Sequence, residues 1–113
     1  MIDRISTHML DIAIGLPAQG VPVLLERVAA EGDVMVVGRG VTDQDGRIAA
    51  LNTEPLEAGR FRLTLDTHEY FDTVHGTVFY PAITVWVNLA DTRSHYHLPV
   101  LAGTYSFSSY LGS

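Results

Sequence analysis

Turn signals divide the chain into short stretches of β-branched and apolar residues. The clearest stretch is 60–66, where Phe61, Leu63 and Leu65 alternate with polar residues, as in a strand that has one buried face. Turns rich in Gly and Asp, such as 42–46, return roughly every eight to twelve residues. This spacing predicts about seven or eight short strands and is typical of a β-sandwich.

The stretch 67–76 breaks the alternation and predicts one short helix. Its apolar side chains recur at helical spacing, at Tyr70, Phe71 and Val74. Asp66 or Thr67 can cap the start of this helix, and Gly76 can end it. No linker, repeat or low-complexity segment interrupts the chain, so residues 1–113 are expected to form a single domain.

The composition limits the partners of the chain. Its net charge is −6 and all seven basic residues are arginine, which disfavours binding to nucleic acid or to an anionic membrane surface. The chain has no cysteine and therefore no disulfide or thiolate metal site, which fits a reducing compartment and predicts the cytoplasm. No apolar run is long enough for a transmembrane helix, and the first residues do not resemble a signal peptide.

His95 and His97 are two residues apart, so on a strand their side chains share one face. Three interpretations are open. The two imidazoles can be structural groups that are hydrogen-bonded on a half-exposed strand. They can join a third histidine, such as His8, as zinc ligands. They can also serve in metal-free acid–base catalysis, because the pKa of histidine lies near neutrality.

Other polar residues can join this pair. Arg47 follows the turn Asp45–Gly46 directly and can point into a cleft from a strand end, although such a residue is most often solvated. Ser113 follows an aromatic stretch that can tie the last residues into a sheet. His68 and His75 flank the predicted helix and are expected at the surface.

Several segments of the chain match one known family in sequence, order and spacing. They are Ser6–Asp11, Gly15–Ala18, Gly20–Val23, Thr42–Asp43, Asp45–Arg47, Phe79–Pro81, His95–Leu101 and Tyr110–Ser113. Together, these segments are similar to those of the 5-hydroxyisourate hydrolases, which are transthyretin-like enzymes. The resemblance extends over essentially the whole chain.

The resemblance implies an all-β, transthyretin (prealbumin)-like sandwich of two four-stranded sheets with one short helix. It also implies a homotetramer, a dimer of dimers, with active sites in the cleft between the dimers. The implied reaction hydrolyses 5-hydroxyisourate, the unstable product of urate oxidation, to 2-oxo-4-hydroxy-4-carboxy-5-ureidoimidazoline. In this family the reaction uses no metal and no organic cofactor.

The family's active-site positions fall on His8, Arg47, His97 and the segment Tyr110–Ser113. One of the two histidines would activate water as a general base, and the other would orient water or protonate the leaving nitrogen. The motifs leave open which histidine has which role. Arg47 would hold ring oxygens and stabilise the charge of a tetrahedral intermediate.

The last segment both follows the family pattern and departs from it. Tyr110 and Ser113 match the pattern and would position substrate and water. Leu111 stands where the family usually has arginine, so a positive charge and a fork of donors are missing there. His95 shares a strand face with His97 and is expected to support it.

Two alternatives remain beside the hydrolase. Transthyretin itself carries a hydrophobic hormone, so the chain could be a non-catalytic small-molecule binder. The polar residues His8, Arg47 and His97 favour the enzyme, because a carrier channel is mainly apolar. A divergent hydrolase of another cyclic amide is the second alternative.

Overall fold

A computed structural model describes residues 1–113 as nine strands and one helix. The strands are β1 (Arg4–Asp11), β2 (Leu16–Pro17), β3 (Pro22–Val28), β4 (Val34–Val41), β5 (Arg47–Ile48), β6 (Gly59–Leu65), β7 (Ile83–Leu89), β8 (His95–Ala102) and β9 (Phe107–Ser109). The helix α1 (His68–His75) follows β6 in the chain. The all-β class with one short helix, expected from the sequence, is confirmed.

The strands form two sheets. The first has the order β2-β1-β8-β9, and the short strand β5 also pairs with β1. The second has the order β4-β3-β6-β7 and is antiparallel throughout. Each sheet thus has four positions, but in the first sheet β2 and β5 share the position beside β1. β1 and β8 form the one parallel pair.

The core lies between the two sheets and results from strand alternation. In β6 the inward residues Phe61, Leu63 and Leu65 are fully buried, whereas the residues between them are partly exposed. One cluster of 20 buried apolar residues joins both sheets. Burial of each large apolar side chain stabilises the fold by about 1.5–3 kcal/mol, so this cluster holds the sheets face to face.

Helix α1 buries one side chain, Phe71, in the core. Thr67 occupies the N-terminal capping position, as predicted, but its hydroxyl donates to the backbone oxygen of Tyr80 at 2.6 Å instead of capping the helix. Gly76 ends the helix, as predicted. No helix of the structure is long and apolar enough to cross a membrane.

His75 is not a surface group, contrary to the prediction. Its side chain is 14% exposed, and its Nε2 donates to Oδ2 of Asp11 at 2.7 Å. Asp11 is fully buried at the end of β1, where it also accepts the Tyr70 hydroxyl at 2.7 Å and the Ala13 backbone N–H at 2.9 Å. The prediction was wrong because the buried partner lies 64 residues away in the sequence. His68, by contrast, is exposed as predicted.

Candidate active site

The outward face of the first sheet carries a row of polar side chains. On β1, Ser6 and His8 face away from the core, because side chains alternate and the neighbouring residues Ile5, Thr7 and Met9 are buried. β8 lies parallel to β1, with His95 beside Arg4 and His97 beside Ser6 in register. The parallel pairing therefore brings residues from both ends of the chain onto one face.

A tight turn places Arg47 beside His8. The carboxylate of Asp43 accepts the backbone N–H groups of Asp45 and Arg47 at 2.9 and 3.0 Å, which closes the turn. Gly46 has a φ of +71°, which residues with a Cβ rarely adopt. β5 then begins at Arg47, whose Cα pairs with that of His8. The local sequence thus fixes the point from which the guanidinium extends.

The last residues of the chain pass close to His97. The backbone N–H of Gly112 donates to the carbonyl oxygen of His97 at 2.9 Å. A Cβ at position 112 would lie 2.7 Å from Cδ2 of His97, closer than van der Waals contact allows, so glycine alone fits without a shift. Ser113 follows and lines the same cleft as His97.

These side chains line a polar cleft of about 310 Å³. Its polar and charged lining includes Arg4, Ser6, Asp43, Arg47, His95, His97 and Ser113. An adjoining recess of about 390 Å³ is lined by His8 and Asp45, and Arg47 lines both spaces. Of the residues selected from the sequence, Arg47, His97 and Ser113 therefore line the cleft, and His8 lines the adjoining recess beside Arg47.

The electrostatics of the cleft favour an uncharged His97 and leave the positive charge of Arg47 without a partner in the chain. Burial lowers the pKa of His97 below the ordinary histidine value, and the charges of His8, His95 and Arg47 lower it further. The Arg47 guanidinium forms no ion pair within the chain, so its N–H donors are available to a ligand. The cleft thus offers an uncharged imidazole next to an unused positive charge.

Tyr110 and Leu111 do not line this cleft. They line an apolar groove of about 320 Å³ between the edge strands β7 and β9, together with residues of β8. Their side chains are 58% and 61% exposed. Within one chain, the structure does not bring Tyr110 together with His8, Arg47 and His97.

The histidines do not form a set of metal ligands. No group of three or more His, Asp or Glu side chains is arranged so that it could hold a metal ion. The Ser6 hydroxyl lies between two of the rings, 2.8 Å from Nε2 of His95 and 2.8 Å from Nδ1 of His97. These two nitrogens therefore point at a hydroxyl and not at a shared metal position, and the interpretation as zinc ligands finds no support in the geometry.

Sequence reasoning did not select Ser6 or Asp43. A signal for Ser6 was available, because it precedes His8 by two residues and so shares its strand face. A signal for Asp43 was its position at the start of the Asp-Gly turn, where a carboxylate commonly accepts backbone N–H groups. The contact of Ser6 with His95 and His97, however, depends on the pairing of β1 with β8.

A sequence profile of the HIUase/transthyretin family, in which HIUase stands for 5-hydroxyisourate hydrolase, matches residues 5–112 of this chain. The chain belongs to the HIUase/transthyretin family. A 5-hydroxyisourate hydrolase of this kind from Salmonella typhimurium is 41% identical over 110 residues, which cover 96% of this chain and 80% of that protein.

Solved structures with the fold of the HIUase/transthyretin family include an enzyme and a binding protein. The 5-hydroxyisourate hydrolase of Klebsiella pneumoniae has a TM-score of 0.84 and 36% identity, covering 99% of this chain and 100% of that chain. Sea bream transthyretin in complex with thyroxine has a TM-score of 0.88 and 28% identity, covering 96% and 94%. These similarities confirm the transthyretin-like sandwich. Because the fold hosts two functions, the side chains of the site must decide between them.

Proposed function

We propose that this chain hydrolyses 5-hydroxyisourate to 2-oxo-4-hydroxy-4-carboxy-5-ureidoimidazoline in urate degradation. The observation that carries the proposal is the polar cleft with its adjoining recess, which hold His8, Arg47, His97 and Ser113 on a fold shared with 5-hydroxyisourate hydrolases. A space of about 310 Å³ suits a small heterocycle. The cleft combines the two kinds of group that amide hydrolysis needs, namely imidazoles that move protons and donors that stabilise an oxyanion.

The proposed reaction begins with the attack of water on a ring carbonyl. A neutral His8 or His97 accepts the water proton while the oxygen forms a bond to the carbonyl carbon. The ring C–N bond then breaks, its electron pair goes to nitrogen, and the nitrogen takes up a proton. Arg47 holds ring oxygens in its planar fork and stabilises the negative charge of the tetrahedral intermediate. Ser113 orients substrate or water.

We propose that the reaction needs no metal and no organic cofactor, because the side chains of the cleft supply the base, the acid and the oxyanion donor. We also propose a cytoplasmic location, which the cysteine-free composition supports.

The working form that we propose is a homotetramer, a dimer of dimers. Its support is the edge formed by β7 and β9, each of which has one unpaired side. Four large apolar or aromatic side chains on or near these strands are more than half exposed: Trp86, Tyr105, Tyr110 and Leu111. Monomeric proteins rarely leave such a patch uncovered. In the tetramer, Tyr110 would contact substrate across a subunit interface.

Light scattering should give about four times the chain mass of 12.4 kDa, and a stable 12.4-kDa species would contradict the tetramer.

A non-catalytic binder is the alternative function, because sea bream transthyretin, with the same fold, was solved in complex with thyroxine. The cleft of this chain disfavours a hydrophobic ligand. Such a ligand would cover Arg4, Asp43 and Arg47 without giving their charges new partners, and burial of unpaired charge is costly.

A coupled ultraviolet assay tests the proposed reaction. Urate oxidase forms 5-hydroxyisourate in the cuvette, and its decay is followed with and without the purified protein. We expect faster decay with the protein, and decay at the spontaneous rate with His97→Asn of unchanged oligomeric state. His68→Asn is the matched control, because His68 is exposed on α1, and it should retain full activity.

Spontaneous decay in the presence of folded wild-type protein would refute the proposed reaction. Two further measurements would then separate the alternatives. Thyroxine that quenches the fluorescence of Trp86 would indicate a carrier, and turnover of hydantoin would indicate a hydrolase of another cyclic amide.

A further inference from the structure

The Ser6 hydroxyl connects two imidazoles on the outward face of the first sheet. Its Oγ lies 2.8 Å from Nε2 of His95 and 2.8 Å from Nδ1 of His97. Ser6 is buried, with 7% of its surface exposed, and makes no other side-chain hydrogen bond. At the far side of the His95 ring, Nη2 of Arg4 lies 3.4 Å from Nδ1. The four side chains thus form a chain of hydrogen bonds that runs from Arg4 to His97.

The number of protons fixes the direction of this chain. A hydroxyl has one hydrogen, so Ser6 donates to one ring and accepts from the other. A guanidinium can only donate, so Nδ1 of His95 must accept from Arg4. The neutral His95 ring then carries its proton on Nε2 and donates it to Ser6. Ser6 in turn donates to Nδ1 of His97, which leaves the single proton of His97 on Nε2.

The second nitrogen of His97 is the one that a ligand can reach. Nε2 has no hydrogen-bond partner in the protein, and the structure contains no buried side-chain nitrogen without a partner. Nε2 of His97 is therefore accessible in the cleft that His97 lines with Arg47 and Ser113.

We propose that Ser6 and His95 are positioning residues that hold His97 as its Nε2–H tautomer, so that His97 donates to the substrate and His8 is the general base. The inference rests on the proposed hydrolase function and decides between the two histidines that the motifs leave equivalent. A neutral imidazole in this tautomer has no free lone pair for water, because Ser6 occupies Nδ1. His8 has no side-chain partner in the chain, so its lone pair remains available.

The charges around the two rings support their neutral forms. Burial lowers the pKa of His95 and the cations of Arg4 and Arg93 lower it further, while burial is also the main cause of the lowered pKa of His97. The other charged groups that line the cleft and its recess are Asp43, Asp45 and Arg47. A doubly protonated His97 would donate an N–H to Ser6 and so reverse the direction of the hydrogen bonds. Ser6 would then donate to Nε2 of His95, and the proton of His95 would lie on Nδ1, facing the N–H of Arg4. Neutral rings avoid that conflict.

This assignment gives a balanced reaction. His8 takes a proton from water while the water oxygen bonds to the ring carbonyl carbon. The carbonyl oxygen becomes negative and accepts hydrogen bonds from Nε2–H of His97 and from Arg47. The C–N bond then breaks, and the nitrogen receives the proton that His8 had taken. His97 donates a hydrogen bond throughout and transfers no proton, as a neutral imidazole electrophile does.

Nitrogen-15 NMR of the histidine rings tests the tautomer without any substrate. In wild-type protein at pH 8, we expect the His97 ring to show a protonated Nε2 and an unprotonated Nδ1. In Ser6→Ala, which removes the donor to Nδ1, both tautomers should be populated. A wild-type His97 with its proton on Nδ1 would overturn the inference. Because the measurement needs no turnover, this outcome differs from failure of the proposed function.

Two substitutions of His95 test the direction of the chain by kinetics. His95→Gln can still accept from Arg4 and donate to Ser6, and it should keep kcat within about fivefold. His95→Glu only accepts, so it should turn the Ser6 hydroxyl away from His97 and lower kcat by about 100-fold, with KM nearly unchanged, as loss of an oxyanion donor does. Equal effects of Gln and Glu would contradict a directional chain.

Ser6 itself is tested in the same assay. Ser6→Ala should lower kcat by at least about tenfold, and Ser6→Thr, which restores the hydroxyl, should recover most of it. An active Ser6→Ala with wild-type kcat would refute the positioning role. If wild-type protein shows no turnover at all, the proposed function fails, and the NMR result still decides the tautomer.

Discussion

The backbone of Arg47 is held by hydrogen bonds, whereas its side chain has no ion pair within the chain. Its backbone N–H and carbonyl oxygen are both bonded to Asp43 at 3.0 Å, so its position is set by the turn. Its guanidinium has no ion pair in the chain. The turn thus fixes the point from which the side chain extends, and the guanidinium keeps its donors available for planar oxygens.

We expect Arg47→Lys to lower kcat/KM for 5-hydroxyisourate by about 100-fold, because an ammonium cannot replace two parallel N–H donors. The free energy of unfolding should change by less than about 0.5 kcal/mol, since no contact within the chain is lost. Arg39→Lys is the matched control on the exposed part of β4 and should behave as wild type. Full activity of Arg47→Lys would show that one point charge suffices.

Gly112 is the residue on which the path past His97 depends. A Cβ there would meet both Cδ2 and the carbonyl oxygen of His97, at 2.7 and 2.9 Å. We therefore expect Gly112→Ala to displace Ser113 and to lower turnover by about 10- to 100-fold. At Gly103, a new Cβ would lie 3.3 Å from Cγ1 of the Ile12 side chain and 3.5 Å from the backbone oxygen of Ser106, both longer than the contacts at Gly112, so Gly103→Ala is the control. Equal turnover of the two variants would mean that the last residues adapt freely.

At this scale, the sequence indicated which residues lie near one another better than it indicated which of them are hydrogen-bonded. Family motifs selected His8, Arg47 and His97, and strand periodicity correctly placed His95 and His97 on one face. The hydrogen bonds of Ser6 could not be predicted, because its partners lie 89 and 91 residues away.

Helix α1 is tied to β1 by a buried carboxylate. Burial alone would raise the pKa of Asp11, but hydrogen bonds from His75, Tyr70 and the Ala13 N–H outweigh it and hold the pKa below the usual value. Burial and the bond to Asp11 raise the pKa of Tyr70, so that its hydroxyl stays a donor. The helix thus depends on the charge of one strand residue.

We expect Asp11→Asn to lower the free energy of unfolding by about 3 kcal/mol at pH 7, because the amide places a donor where donors already point. The lowered pKa means that the wild-type advantage is complete above the unfolded value of about 4 and is lost as the pH falls through the folded value. Urea titrations at pH 7 and pH 3 should therefore show a difference that shrinks in acid. Asp72→Asn, on the exposed side of α1, is the control. A constant difference at both pH values would exclude the ionised carboxylate as its cause.

The elements were largely predictable because their signals are local. Alternation of apolar residues predicted β6, and the Phe71 spacing together with Gly76 predicted α1. Their docking was not predictable from the same signals. Nothing near His75 in the sequence indicates that its partner lies at the end of β1, so periodicity suggested a surface group.

The whole molecule leaves apolar surface exposed at the edge of β7 and β9. Leu111 is part of this surface, at 61% exposure, and lies outside the polar cleft of its own chain. The arginine that the family usually has at this position is therefore not needed to complete the cleft within one chain.

We expect Leu111→Arg to keep kcat/KM within about threefold of wild type, because the side chain lies outside the cleft of its own chain and arginine is the residue that the family usually has at this position. Leu111→Met preserves the size and apolar character and is the control. The measurement is the coupled assay, together with light scattering. A tenfold or larger rise in kcat/KM would show that position 111 reaches the cleft of another subunit in the proposed tetramer.

The spacing of the strands predicted a sandwich, but it did not predict which strands lie next to one another in each sheet. The parallel pairing of β1 with β8 joins the first strand to the last long one, and no local pattern in either strand encodes the choice of partner. Family resemblance supplied the transthyretin-like sandwich of two four-stranded sheets, but the strand order was found only in the structure.

That pairing also has a consequence for the time at which the site forms. Ser6 and His97 are 91 residues apart, so their strands can meet only after a loop of nearly the whole chain has closed. Domains dominated by such distant contacts fold on the order of milliseconds to seconds, whereas those with local contacts fold in microseconds to milliseconds. Catalytic activity should therefore return in refolding experiments together with the slowest structural phase, and neither half of the chain alone should bring the two histidines of the cleft together.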